Sequence, residues 1–147
     1  MTNSINKVIL IGNVGLKPEI RNTQKGIEVA TFSIATTDRW KNKQSNDITN
    51  KTEWHKIVVF ATGLINIIKE YLKKGNKVYI EGKLKTREYI DTISNSKKYV
   101  TEIVLTNYNS TLIILDTFKK DNLNNNVNKE IKKPNVTDNN NDDIPFE

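Results

Sequence analysis

In the run Glu53 to Ala61, Trp54, Lys56, Val58 and Phe60 fall on alternate positions, two large aromatic rings with a cation between them. In an extended chain these share one face, while His55, Ile57 and Val59 share the other. A second run puts Val78, Ile80, Gly82 and Leu84 on an inward face. Lys77, Tyr79, Glu81, Lys83, Lys85, Arg87 and Tyr89 then point outward. The polar stretch from Asp38 to Thr52 adds Arg39, Trp40, Lys41, Lys43 and Lys51. Rings of this kind stack on flat aromatic ligands, and interleaved cations neutralise anionic groups. Trp54 and Phe60 would equally serve a core, and a lysine-rich row also suits a solvated strand face. Trp40, in so polar a segment, has no core to join.

The elements that position these residues follow from periodicity. Ile5 to Gly12 is rich in β-branched residues and apolar on both faces at its centre, the pattern of a strand buried on both sides. Ile27 to Thr37 alternates, with Phe32 and Ile34 on one face. Glu53–Ala61, Lys77–Tyr89 and Tyr99–Leu105 are further strands, and Leu112 to Leu115 a short extension. Turn signals lie at Gly15 with Pro18, at Lys25-Gly26 and from Asp91 to Ser96. Asp38 to Thr52 reads as a long loop, a length that is usually functional or disordered. One segment reads as a helix, with Leu64, Ile67, Ile68, Tyr71 and Leu72 along one stripe. Lys73 and Lys74 suit its last turn and Gly75 the C′ position. Three strands, a helix, then two strands is the order of a five-stranded OB-fold Greek-key barrel with one helix between strands 3 and 4. An SH3-like barrel has no reason to place a three-turn helix there.

Composition narrows the chemistry further. The chain has 147 residues, no cysteine and a single histidine, His55. A disulfide scaffold, a thiolate metal cluster and a His-rich site are therefore excluded, and no cofactor or metal is implied. No run approaches the ~20 apolar residues of a membrane helix. The N-terminus lacks a signal-peptide pattern, which makes the cytoplasm the expected location. Of 23 Lys+Arg and 17 Asp+Glu, residues 1–118 hold 18 and 11, and residues 119–147 hold 5 and 6. The later segment is crowded with asparagine and poor in aliphatic residues, too polar to offset its ordering entropy. The expected organisation is a folded domain over residues 1–116 and a disordered tail over 117–147.

A basic barrel with four candidate platforms (Trp40, Trp54, Phe60 and Tyr89) points to single-stranded nucleic acid. Each stacked base is worth roughly 1–3 kcal/mol whatever its identity. A duplex hides its base faces, and no helix here would read a major groove. Two other classes compete. A nuclease needs clustered carboxylates for a metal, or a nucleophile and base. Glu81 and Glu88 fall on opposite strand faces, and His55 has no evident partner. A protein-interaction OB module, such as a primosome accessory factor, would bind DNA weakly and without salt dependence.

The run Ile5-Asn6-Lys7-Val8-Ile9-Leu10-Ile11-Gly12-Asn13 resembles the first strand of bacterial single-stranded DNA-binding proteins. Pro18 to Arg21, Thr52 to Val58, Tyr71 to Gly75 and Val78 to Leu84 continue the resemblance in order, over about residues 5–115. It implies a homotetramer of OB-folds that wraps single-stranded DNA without sequence preference and without catalysis, in replication, recombination and repair. Trp40, Trp54 and Phe60 match the family's stacking positions, and Tyr89 stands where tryptophan is frequent. Lys7, Arg21, Lys56, Lys73, Lys85 and Arg87 match basic positions along the DNA path. His55 matches a subunit-interface position, against the alternative of a satisfied core histidine. Tyr79 and Lys77 lie on the strand that pairs tetramer halves. Asp142-Asp143-Ile144-Pro145-Phe146 resembles the acidic tip that recruits replication and repair proteins. The family usually ends at the phenylalanine, whereas here Glu147 follows. Either the partner's pocket accepts one more residue or Glu147 supplies the replacement carboxylate.

Overall fold

Alternating β-branched and aromatic residues, cut by turn residues, give seven strands and one helix in the computed structural model, which describes residues 3–116. The strands are β1 (Val8–Val14), β2 (Glu19–Asn22), β3 (Glu28–Lys41), β4 (Ile48–Val59), β5 (Lys77–Ile90), β6 (Lys97–Leu105) and β7 (Thr111–Ile114), with α1 (Thr62–Tyr71) between β4 and β5. Hydrogen bonding runs β1-β3-β4-β6-β5 and returns from β5 to β1, so five strands close into a barrel. β2 pairs with β3, and β7 pairs with β5. β4 and β6 run parallel from Ile57↔Ile103 to Val59↔Leu105, while the other pairings are antiparallel. With the helix between the third and fourth barrel strands, this is the expected OB-fold.

The core is the inner face of that ring. Phe32 and Ile34 of β3, Ile57 and Val59 of β4, Val78 and Ile80 of β5, and Ile103 and Leu105 of β6 are buried together. α1 adds Ile65 and Ile68 to the same cluster, and its flanking residues Ala61 and Leu72 join them. The helix face is therefore rotated from the expected stripe. Ala61, Ile65, Ile68 and Leu72 face the core, whereas Ile67 and Tyr71 are exposed. Its end differs too, because Leu72 is already extended and Lys69 is the basic residue of the last turn. Lys73 and Lys74 lie past the helix. Gly75 has the expected positive φ of 86°, but in the following turn, where its N–H donates to the Val14 carbonyl.

Three further expectations are corrected. Asp38 to Thr52 is not a long loop, since β3 and β4 stay paired out to Lys41↔Ile48 and only a short turn around Asn46 joins them. Both faces of this arm are wet, so no hydrophobic alternation marks it as strand. β1 is not buried on both sides, because Ile9 and Ile11 are 54% and 50% exposed. Leu84 is half-exposed rather than inward, because β5 has by then passed the core and runs out with β6 as a second arm. β2, which no hydrophobic periodicity marks, follows the Gly15–Pro18 turn as a short edge strand on β3. The expected tail and its tip lie outside the described residues.

Candidate nucleic-acid interface

Register decides which side chains meet on the outside of the barrel. Trp54 lies opposite Ala35, Lys56 opposite Ser33 and Val58 opposite Thr31. β2 extends that surface by setting Glu19 against Thr31 and Arg21 against Val29. On the other side, parallel pairing sets Val58 beside Val104, and β5 brings Lys85 opposite Glu102. The result is a groove of about 550 Å³ that crosses β2, β3, β4, β6 and β5. Its floor is apolar, with Val29, Val58, Phe60 and Val104, and Arg21, Lys56, Lys85 and Arg87 supply its cations. Five of the expected contact residues therefore converge on one surface.

Trp54 and Lys56 line a neighbouring hollow together with Leu16, Glu19 and Ser33. The indole is 61% exposed, an unusual state for a tryptophan within a strand. Its ring tip rests over Gly15, where an added Cβ would stand 2.4 Å from Cζ3. The bare glycine thus leaves room for the edge of the ring against the barrel. Tyr89 continues the alternation of Lys85 and Arg87 along β5, opposite Lys98, and is also exposed. Trp40 is exposed on the β3–β4 arm opposite Thr49, with the strand parity of Phe32 and Ile34 rather than that of Trp54's partner Ala35.

The groove's cations differ in their pairing. Arg87 Nε donates to Glu102 Oε1 at 2.7 Å, and Lys56 Nζ stands 3.4 Å from the same oxygen. Arg21 pairs with Glu19 at 2.8 Å, both exposed. Lys85 makes no ion pair among the described residues. Glu102 is the group that the sequence reading passed over. In Thr101-Glu102-Ile103 it reads as an ordinary outward polar residue. A signal existed in the sequence, because it is the one acid on a strand that must face the Lys85/Arg87 row.

The remaining basic positions do not join the groove. Lys7 lies 3.3 Å from Glu81, which also accepts a hydrogen bond from the Tyr79 hydroxyl. The Tyr79 bond comes first, and with Lys7 it holds the Glu81 carboxyl below its usual range, while the Tyr79 hydroxyl is held above its own. These groups occupy the outer face of β1, β5 and β7, where Ile11 lies opposite Tyr79 and Tyr79 opposite Ile113. Lys77 shares that strand and donates its backbone N–H to Asp116 Oδ2 at 2.7 Å. Lys73 lies in the turn after α1, its N–H bonded to Asn76 Oδ1. His55 is half-buried opposite Ile34, with Nε2 2.8 Å from Thr36 Oγ1. Among the described residues no cluster of His, Cys, Asp or Glu could hold a metal ion, and no helix is long and apolar enough to cross a membrane.

Barrel and groove together define an OB-fold whose outer face is built for a flexible, anionic, ring-bearing ligand. Residues 5–111 match the single-strand binding protein family, and the chain belongs to it. It is 43% identical over 153 residues to the single-stranded DNA-binding protein of Rickettsia conorii, spanning 99% of this chain and 100% of that one. The protein of the same name from Rickettsia felis is 48% identical over 122 residues, covering 83% and 80%. Among solved structures, a Plasmodium falciparum SSB in complex with ssDNA superposes with a TM-score of 0.69 at 40% identity, over 79% of this chain and 99% of that one.

Proposed function

We propose that this protein binds and protects single-stranded DNA without sequence preference and without turnover, during replication, recombination and repair. The observation that carries this reading is the groove in which Lys56, Lys85, Arg87 and Arg21 surround the Phe60 and Val58 floor, beside the exposed Trp54 ring. Stacking on Trp54, Phe60, Tyr89 and Trp40 supplies sequence-tolerant affinity, and the cations release counterions from phosphates. The names of the relatives and of the structural neighbour favour the same ligand.

In this reading the active form is a homotetramer. The half-exposed Ile9, Ile11 and Ile113, flanking Tyr79, form an apolar face remote in the sheet from the groove, which suits contact with a second copy. His55, Lys77 and Tyr79 belong to the subunit contacts. Asp142, Asp143, Ile144, Pro145 and Phe146 recruit replication and repair proteins by charge steering and an apolar anchor.

The test is a titration with poly(dT), following intrinsic tryptophan fluorescence at several salt concentrations. The expected result is strong quenching that saturates at a fixed nucleotide-to-protein ratio. Log affinity should fall with log salt at about 0.7 per neutralised phosphate. Absence of quenching and of salt-dependent binding would leave the interaction-module reading in its place.

A further inference from the structure

Glu102 is the one charged side chain buried among the described residues, 4% exposed, and it shares the groove surface with Val104 and Val58. A carboxylate there is stable only with partners, because an unpaired buried charge costs several kcal/mol. Its partners come from both flanking strands, Lys56 on β4 and Arg87 on β5, and both meet the same Oε1. The geometry at Arg87 is specific. Glu102 takes Nε, and the terminal nitrogens of the guanidinium make no hydrogen bond among the described residues. That leaves the terminal pair of nitrogens, which can meet a phosphate bidentately, without a protein partner on a side chain that lines the groove.

We propose that Glu102 is a positioning residue, holding Arg87 by Nε so that its terminal nitrogens are set for a phosphate before DNA arrives. The inference rests on the single-stranded DNA reading above. A long, solvated arginine otherwise loses rotamer freedom on binding, and a buried anchor removes that loss in advance. Lys56 is drawn to the same oxygen and completes the neutralisation of the carboxylate. The cations of the groove are thus of two kinds, anchored at Arg87 and Lys56 and unanchored at Lys85.

The test measures oligo(dT) affinity across a salt series for the full chain and for Glu102→Ala, Arg87→Ala, the double variant and Arg87→Lys, with thermal melts as the check on folding. Glu102→Ala should weaken binding as Arg87→Ala does, by roughly tenfold, the scale of one charge-assisted hydrogen bond. The salt slope should fall by about 0.7, one phosphate on a single strand. In the Arg87→Ala background, Glu102→Ala should change affinity no further. Arg87→Lys keeps the charge but has no separate Nε, so it should bind like Arg87→Ala. Equal or tighter binding by Glu102→Ala would show that Glu102 only neutralises, and a full loss in the Arg87→Ala background would show that it acts elsewhere. Either result overturns the proposal. Should Glu102→Ala not fold, Arg87→Lys decides, since wild-type affinity there means that charge alone suffices. Failure of the unmodified chain to bind oligo(dT) would instead remove the underlying reading.

Discussion

The exposed indole of Trp54 is where stacking is argued most directly, because its ring is placed by a neighbour rather than by a core. Replacing Trp54 by alanine should cost roughly 1–3 kcal/mol of oligo(dT) affinity and leave the melting temperature nearly unchanged. Trp40→Ala should act in the same direction, since its ring is likewise exposed on the β3–β4 arm. Gly15→Ala offers a subtler check. The added methyl would collide with Cζ3, so the ring must lift from the barrel, and both the tryptophan emission maximum and the DNA affinity should shift. A variant with unchanged emission and affinity would mean that the ring's position does not matter. At this scale the sequence showed residue types and parity, which sufficed to put Trp54, Lys56, Phe60, Lys85 and Arg87 on the outer surface. It did not show Glu102's burial, because burial of a polar residue depends on which strands flank it.

Strand pairing explains what was legible at the scale of elements and what was not. The barrel strands announced themselves because one face of each is buried, and burial writes a period of two into the sequence. The two arms, β3–β4 beyond Thr37 and β5–β6 beyond Leu84, carry no such record, since water wets both their faces. Ile9 and Ile11 misled in the opposite way, because apolar side chains report that they avoid water but not what covers them. The β5–β6 arm is held at its turn by Asp91. Its carboxylate pairs with Lys98 at 2.5 Å and accepts the Ile93 N–H at 3.0 Å. Lys98 chiefly, and then that N–H, keep the Asp91 carboxyl below its usual range. A depressed folded value means that the contribution is complete above the unfolded aspartate value of about 3.9 and is lost as pH falls through the folded one. The protection factor of the Ile93 amide, its exchange relative to the unstructured rate at the same pH, should therefore fall on acidification in the native chain. In Asp91→Asn that protection should be lower at neutral pH and show no such acid transition, and an unaltered transition there would refute the assignment.

For the whole molecule, the apolar face of β1, β5 and β7 governs assembly in the proposed tetramer. Ile11→Asp should give a folded but dissociated protein, seen as a smaller mass by light scattering, with binding to short oligonucleotides kept and binding to long ones weakened. An unchanged mass would move the subunit contacts to another surface. Deleting residues 138–147 should leave oligo(dT) affinity in place and abolish capture of replication and repair proteins. The ring closure has a consequence for how the chain comes into being. β1 finds most of its pairing on β5, from Val8↔Gly82 to Asn13↔Lys77, and little on β3. During synthesis at roughly 5–20 residues per second, β1 therefore leaves the ribosome seconds before its principal partner exists. The nascent chain must carry Val8, Leu10 and Val14, which pack on the finished core, uncovered through that interval, so the protein's exposure to misassembly is set by the order of translation as much as by its final stability.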